Sequence, residues 1–366
     1  MNRPRPEPDF RRLRSTLLRA GPPGPVPAME FLADVQIMEE IVGQKFPIRR
    51  LSDLSVCDRE ACERTCDLIV CFHRQLGFDY VCVLVEAPLA STYTAADDPA
   101  LVGTTRYWQD QKRGTITSWA DFEAYAWPAL EDVNFRPMEY TAQHLPAGMQ
   151  IVVACDGVFE WVKAMMGFET LALALMDDPE LVAAMCQMVG ELTVSICAAA
   201  IDVPNVGAFF LGDDMGYATA TLVSPQHLRE YVFPWQKRMA DLVHTQGLPF
   251  LLHACGNLSA IMNDLIGYVG IDGKHSYEDK IMPVEDVMEL WGNQMCIVGG
   301  LDMDLLARGT QEQVRTRTRQ ILDSCGPRGG YCLGTGNTVA NYIPVPNYLA
   351  MLGEGRRWNH THFSRP

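Results

Sequence analysis

The segment LLHACGN places His253 and Cys255 two residues apart at the end of an apolar run that reads as a β-strand. Residues i and i+2 of a strand project to the same side, so the imidazole and the thiol can reach one ion. Nitrogen and sulfur donors suit borderline-soft Zn2+ better than Mg2+ or Ca2+. A second thiol, Cys332 in YCLGTGN, is distant in sequence but lies on another short apolar run. Three protein ligands with a fourth position left open mark a catalytic zinc site rather than a structural one. Taken alone, a His-x-Cys pair has a second explanation, a buried thiol beside a hydrogen-bonded imidazole.

Carboxylates recur where such runs end: Glu30, Asp156, Asp213, Asp214 and Asp302 each follow one, as do His275 and Glu278. Adjacent Asp213 and Asp214 repel when both are ionised, which raises one pKa and suits proton transfer. Capping of a helix or loop by one of them is the alternative. Glu30, Asp213 and Asp214 are the candidate catalytic residues. Asp302, or Asp156, could accept the second N–H of His253, because a metal-bound imidazole needs such a partner. His275 reads equally as a loop residue or a ligand. The turn GTGN makes Gly334, Gly336 and Asn337 candidate cofactor-binding residues, since its backbone amides can hold an anion. It lacks a P-loop lysine and a full dinucleotide fingerprint, which argues against a nucleotide.

Strand-like runs alternate with helix signals along nearly the whole chain, the pattern of βα units around a parallel sheet. Eight strands are expected at residues 26–31, 80–85, 150–154, 208–211, 249–253, 270–273, 295–299 and 330–333. The fold class is therefore α/β, a (β/α)8 TIM barrel, whose functional groups gather at the C-terminal ends of the strands. Residues 1–25 form an N-terminal extension, 26–358 a single barrel domain and 359–366 a tail. Residues 87–148, after the second strand, are an aromatic-rich insertion with Tyr93, Tyr107, Trp108, Trp119, Tyr125 and Trp127. A connection of that length is expected to be a lid or an extra packed subdomain. Helix punctuation is clear at Ser224-Pro225 and at Thr310, with Gly326 past the second helix's end. Pro234 predicts a break, and residues 157–200 read as two helices divided near Asp177-Asp178-Pro179.

The net charge of −15 argues against nucleic acid as a partner, because phosphate contacts need clustered Lys and Arg. Several of the 12 cysteines sit inside apolar runs, where free thiols are commonly buried. The Arg- and Pro-rich N-terminus has no apolar core of a secretory signal. No apolar run approaches the ~18 residues that suggest a membrane span. A reduced cytoplasmic protein without membrane insertion is expected. Cys57, Cys62, Cys66 and Cys71 lack the spacing of a zinc ribbon or an iron–sulfur motif.

From Arg11 to about Trp358 the chain resembles the uroporphyrinogen decarboxylase superfamily. The resemblance rests on GFDYV, SPQHLREYVFPWQKRM, HACGNL, GIDGKHSYE, CIVGGLDMDLLARGT and GGYCLGTGNTVANYIPVPNYLAML. Within it, the chain looks most like the corrinoid-dependent methyltransferase branch, whose zinc motif is His-x-Cys followed distantly by Cys. His253, Cys255 and Cys332 match that motif one by one. The resemblance implies Zn2+, a corrinoid on a partner protein, and methyl transfer between cobalt and a small methylated substrate or thiol. Zinc would either favour a bound thiolate or polarise an ether oxygen. It also implies Glu278 as a fourth ligand that yields to substrate, although Glu278 reads equally as a solvated loop carboxylate beside Lys274 and Lys280. One departure stands out. The Arg-rich motif with which uroporphyrinogen decarboxylases grip propionates is replaced here by PVPAMEFLADVQIMEE, and an acidic lip at Glu30 would repel a polycarboxylate. A tetrapyrrole carboxy-lyase and a non-catalytic corrinoid- or zinc-binding barrel remain the alternatives.

Overall fold

The computed structural model describes residues 7–90, 93–97, 105–109 and 114–363, with backbone structure alone at 93–97 and 105–109. Among these residues nine strands form two sheets: β1 (Tyr80–Leu84), β2 (Tyr93–Asp97), β3 (Thr105–Gln109), β4 (Gln150–Asp156), β5 (Val206–Gly212), β6 (Phe250–His253), β7 (Gly273–His275), β8 (Cys296–Val298) and β9 (Tyr331–Cys332). Seven are parallel and ordered β1-β4-β5-β6-β7-β8-β9; β2 and β3 pair as a separate antiparallel ribbon. Helices cover the outer face, and β5 and β6 are buried throughout, which explains their unbroken apolarity. The fold is an α/β barrel.

The first expected strand, 26–31, is reduced to one bridge. Ala28 pairs with Leu333, Met29 N–H donates to Leu333 O (2.9 Å), and Leu333 N–H donates to Pro27 O (2.8 Å). Pro25 and Pro27 remove two ladder donors, so a regular strand cannot form. Toward β1 the gap is closed by side chains instead: Tyr80 Oη bonds both the N–H and C=O of Glu30, and the Cys82 thiol donates to Phe31 O. The strand expected at 270–273 begins at Gly273. Gly270, at φ 85°, ends the π-helical turn Leu265–Val269, and Asp272 is occupied by the Phe250 amide and His244.

The extension is part of the body. Helix Phe10–Leu17 buries Phe10, Leu13 and Leu17, and Arg14 and Arg19 bond the carbonyls of Gly247 and Gly329 near the starts of β6 and β9. It thus sits beneath the N-terminal ends of the strands. The final helix runs Val345–Phe363, past the expected boundary at 358. Ser224 and Thr310 cap their helices, and the expected break at Pro234 separates Pro225–Tyr231 from Phe233–Thr245.

Residues 158–201 form three helices rather than two, with an extra break at Gly167 (φ 74°). The last of them, Pro179–Ile201, contains a stretch long and apolar enough to cross a membrane, contrary to expectation. Of the residues in that stretch 61% are buried, and the helix packs against Val158–Met166 and Phe233–Thr245 among others. A helix enclosed in this way becomes apolar around most of its circumference.

Candidate metal centre

β5 and β6 end side by side, with Gly212 opposite His253. The chain then delivers Asp214 from one strand and Cys255 from the other. One ligand atom each of Asp214, His253 and Cys255 lie within 4.8 Å of one another. Cys255 Sγ is 3.5 Å and Asp214 Oδ1 3.7 Å from His253 Nε2. Asp214 Oδ1 also accepts the Cys255 backbone N–H at 2.7 Å, fixing the two loops together. The loops touch through glycines. Gly256 adopts φ 81°, and a Cβ on it would meet the Gly216 carbonyl carbon at 2.3 Å. The HACG turn therefore requires glycine after its cysteine.

Cys255 is flanked by donors. Asn337 Nδ2 lies 3.2 Å from its sulfur, and Ser276 Oγ lies 3.6 Å away while donating to Gly336 O (2.9 Å). Ser276 adopts φ 86°, an uncommon backbone state for a residue with a side chain. Buried Lys274 donates to the carbonyls of His275 and Ser276 and holds this turn. Burial lowers the Lys274 ammonium to about 8 and raises the Cys255 thiol above its usual range.

His253 is 6% exposed and stacks on Phe31 with ring centroids 4.5 Å apart. Burial lowers its pKa to about 4 and so favours the neutral ring. Its Nδ1 lies 2.7 Å from Nδ1 of His275, whose Nε2 lies 3.0 Å from the carbonyl of Thr335. Asp302, the expected partner of His253, instead caps helix Met303–Arg308 through the amides of Asp304 and Leu305. An N-cap aspartate there is explained by four free amides, not by the metal site.

The Asp213–Asp214 pair divides its labour. Asp213 is fully buried and accepts the amide of Glu160 (2.8 Å) and Nε2 of Gln236 (2.7 Å), so it caps the helix that begins at Val158. Asp214 alone faces the metal-capable group. Glu30 is likewise no lip: it is 4% exposed and accepts both the amide (3.0 Å) and hydroxyl (2.7 Å) of Thr335. Burial pushes its carboxyl up to about 8. Gly334 and Gly336 pack against backbone, their Cβ positions 2.2 Å from Met29 O and 2.5 Å from Tyr277 O. Cys332 is buried with its sulfur 3.9 Å from that of Cys296 and lies outside the metal-capable group, as does Glu278, whose carbonyl opens the turn to Ile281 and Met282.

Further carboxyls stand next to the group. Burial, with Glu160, Glu86, Asp213 and Asp214 nearby, pushes Asp156 well above its usual range. Glu86 is raised by burial to about 7, and Lys163 pairs with Glu160 at 2.6 Å. The expected aromatic lid falls partly outside the described residues. Of the described rings, Trp119, Phe122, Tyr125 and Trp127 pack on one another, and Tyr125 Oη accepts the Ala90 amide.

The fold and the ligand cluster define an α/β barrel with a metal-capable centre at the C-terminal ends of its strands. The uroporphyrinogen decarboxylase (URO-D) family profile matches residues 113–358, and the chain belongs to that family. A methylated-thiol–coenzyme M methyltransferase of Methanosarcina mazei is 27% identical over 263 residues, 69% of this chain and 67% of that protein. A uroporphyrinogen decarboxylase of Syntrophotalea carbinolica is 27% identical over 126 residues, spanning 34% of this chain and 35% of that protein. The methylcobamide:CoM methyltransferase MtbA of M. mazei is 26% identical over 140 residues, spanning 37% and 38%. Among solved structures, a methyltransferase from M. mazei superposes with a TM-score of 0.70 at 16% identity, covering 95% of this chain and 98% of its own. That likeness supports the barrel fold.

Proposed function

We propose that this protein is a zinc-dependent methyltransferase that moves a methyl group between a small methylated substrate or thiol and the cobalt of a corrinoid carried by a partner protein. The observation that carries the reading is the convergence of Asp214, His253 and Cys255 within 4.8 Å at the end of β5 and β6. Carboxylate, imidazole and thiolate are all zinc ligands, so the donor set fits the ion. The reaction class rests on the methyltransferases among the relatives. Bound there, zinc would supply Lewis acidity, which favours a thiolate or a departing oxyanion.

The chain's own residues prepare the site. Asn337 donates toward the Cys255 sulfur and so favours its deprotonated form. The Cys255 amide aligns the Asp214 carboxylate. Glu86, raised by burial to about 7, stands near Asp156 and can hold or release a proton near neutral pH. Tetrapyrrole decarboxylation comes second, because the uroporphyrinogen decarboxylase among the relatives matches 34% of this chain and the methylated-thiol–coenzyme M methyltransferase 69%.

The test begins with metal content. Protein purified without added metal should carry about one zinc per chain, and Cys255→Ser should lose most of it. The zinc protein should then move a methyl group between cobalamin and members of a panel of thiols and methoxylated aromatics, followed by the cobalamin absorbance spectrum. Absence of zinc both as purified and after reconstitution under reducing conditions would overturn the reading.

A further inference from the structure

We infer that His275 is a positioning residue which fixes His253 in the tautomer that leaves Nε2 free for metal, through a relay running His253 to His275 to the Thr335 carbonyl. The inference rests on the metal-site reading above.

The argument is one of donors and acceptors. A carbonyl oxygen only accepts, so the 3.0 Å contact between His275 Nε2 and Thr335 O requires the proton to sit on Nε2 of His275. His275 is fully buried and packs against a second imidazole, where a charged ring would be poorly solvated. As a neutral ring with its proton on Nε2, it offers a bare Nδ1. The 2.7 Å contact to His253 Nδ1 is then satisfied only if His253 donates from Nδ1. That leaves Nε2 of His253 unprotonated, and Nε2 is the atom facing Cys255 Sγ and Asp214 Oδ1. The opposite arrangement, with His253 protonated at Nε2, would leave two bare nitrogens facing each other at 2.7 Å.

The end of the relay is anchored. Thr335 cannot drift, because Glu30 accepts both its amide and its hydroxyl. The carbonyl that receives the His275 proton is thereby tied to the first segment of the barrel. The Ser276 turn, held by Lys274, sets the His275 ring from the other side. A metal-bound imidazole ordinarily takes its orienting acceptor from a carboxylate, a backbone carbonyl or water. Here a second imidazole is interposed between ligand and carbonyl.

The experiment uses three proteins: wild type, His275→Ala and His275→Asn. Asparagine keeps a carbonyl oxygen near the place of Nδ1, so it can still accept from His253. Zinc affinity is measured by chelator competition, with circular dichroism to confirm folding. His275→Ala is expected to weaken zinc binding about 10–100-fold, and asparagine to restore most of it. Long-range 15N–1H correlations on histidine-labelled, metal-free protein read the tautomer directly, with His253 expected to carry its proton on Nδ1. A folded His275→Ala protein that binds zinc as tightly as wild type would overturn the inference, as would a proton on His253 Nε2. Failure of wild type to bind zinc would instead overturn the metal-site reading, and the tautomer measurement would still decide whether the relay exists.

Discussion

Replacing Glu30 by glutamine separates a group that takes part in chemistry from one that holds the barrel together. The buried carboxyl receives two hydrogen bonds from Thr335, and burial raises it to about 8. Its value in the unfolded chain is about 4.3. Between those values the folded protein keeps a proton that the unfolded chain has released. Stability contributed by this group is therefore fully present below about pH 4.3 and is lost as pH rises through about 8. At about 1.4 kcal/mol per pH unit, the interval caps the loss at about 5 kcal/mol.

Glutamine cannot ionise, yet it still offers one oxygen to the Thr335 amide. Glu30→Gln should thus lose the pH-dependent term and keep the fastening. The assay is the urea midpoint of both proteins at half-unit steps from pH 5 to 9, where the difference between the curves isolates Glu30. The variant is expected to gain on wild type as pH rises to about 8 and to hold a constant difference above it. It should also bind zinc within about threefold of wild type, because the carbonyl of Thr335 stays in place. Parallel stability curves would refute the claim that burial governs Glu30. A loss of zinc affinity beyond about tenfold would return Glu30 to the reactive machinery.

Cys332→Ser should retain about one zinc per chain by metal analysis, because its thiol lies against Cys296 rather than with Asp214, His253 and Cys255; loss of the metal would restore Cys332 as a ligand. Gly256→Ala combines a left-handed backbone with a contact of 2.3 Å to Gly216, and it should cost about 3 kcal/mol or more, read as a large fall in melting temperature. Asp213→Ala should destabilise by about 2–5 kcal/mol in denaturant titrations, since two buried donors lose their acceptor. Asp213→Asn should cost about 1 kcal/mol or less, because Gln236 can turn its amide and present the oxygen that now lacks a partner.

The barrel was legible because both of its signals are local. Short apolar runs such as those of β4 and β5 need two covered faces, and Ser224, Pro225 and Thr310 mark helix starts by side-chain chemistry alone. The misplaced strands lie where local signals compete. The run at 26–31 is apolar enough for a strand, but its prolines leave only one bridge, and apolar Gly270–Gly273 is mostly the exit from a π-helical turn. In the helix Pro179–Ile201, Glu180 and Glu191 interrupt the apolar run, so no unbroken apolar segment marks it in the sequence, although its mean hydropathy is high.

The metal-capable centre was half legible for a related reason. His-x-Cys announces itself, since strand periodicity alone puts both side chains on one side. Whether Cys332 or Asp214 stands with them depends on how β9 and β5 are rotated about their axes, and spacing across 77 residues carries no such information. Asp213 and Asp214 are the same residue type in adjacent places, yet one faces a helix N-terminus and the other the thiol. His275 was equally ambiguous in sequence. Its meaning emerges only when a carbonyl on one side and an imidazole on the other fix where each proton must be. The unsignalled part of the site is thus its hydrogen-bond polarity: the Glu30–Thr335 fastening and the paired imidazoles decide which nitrogen of His253 is left to bind.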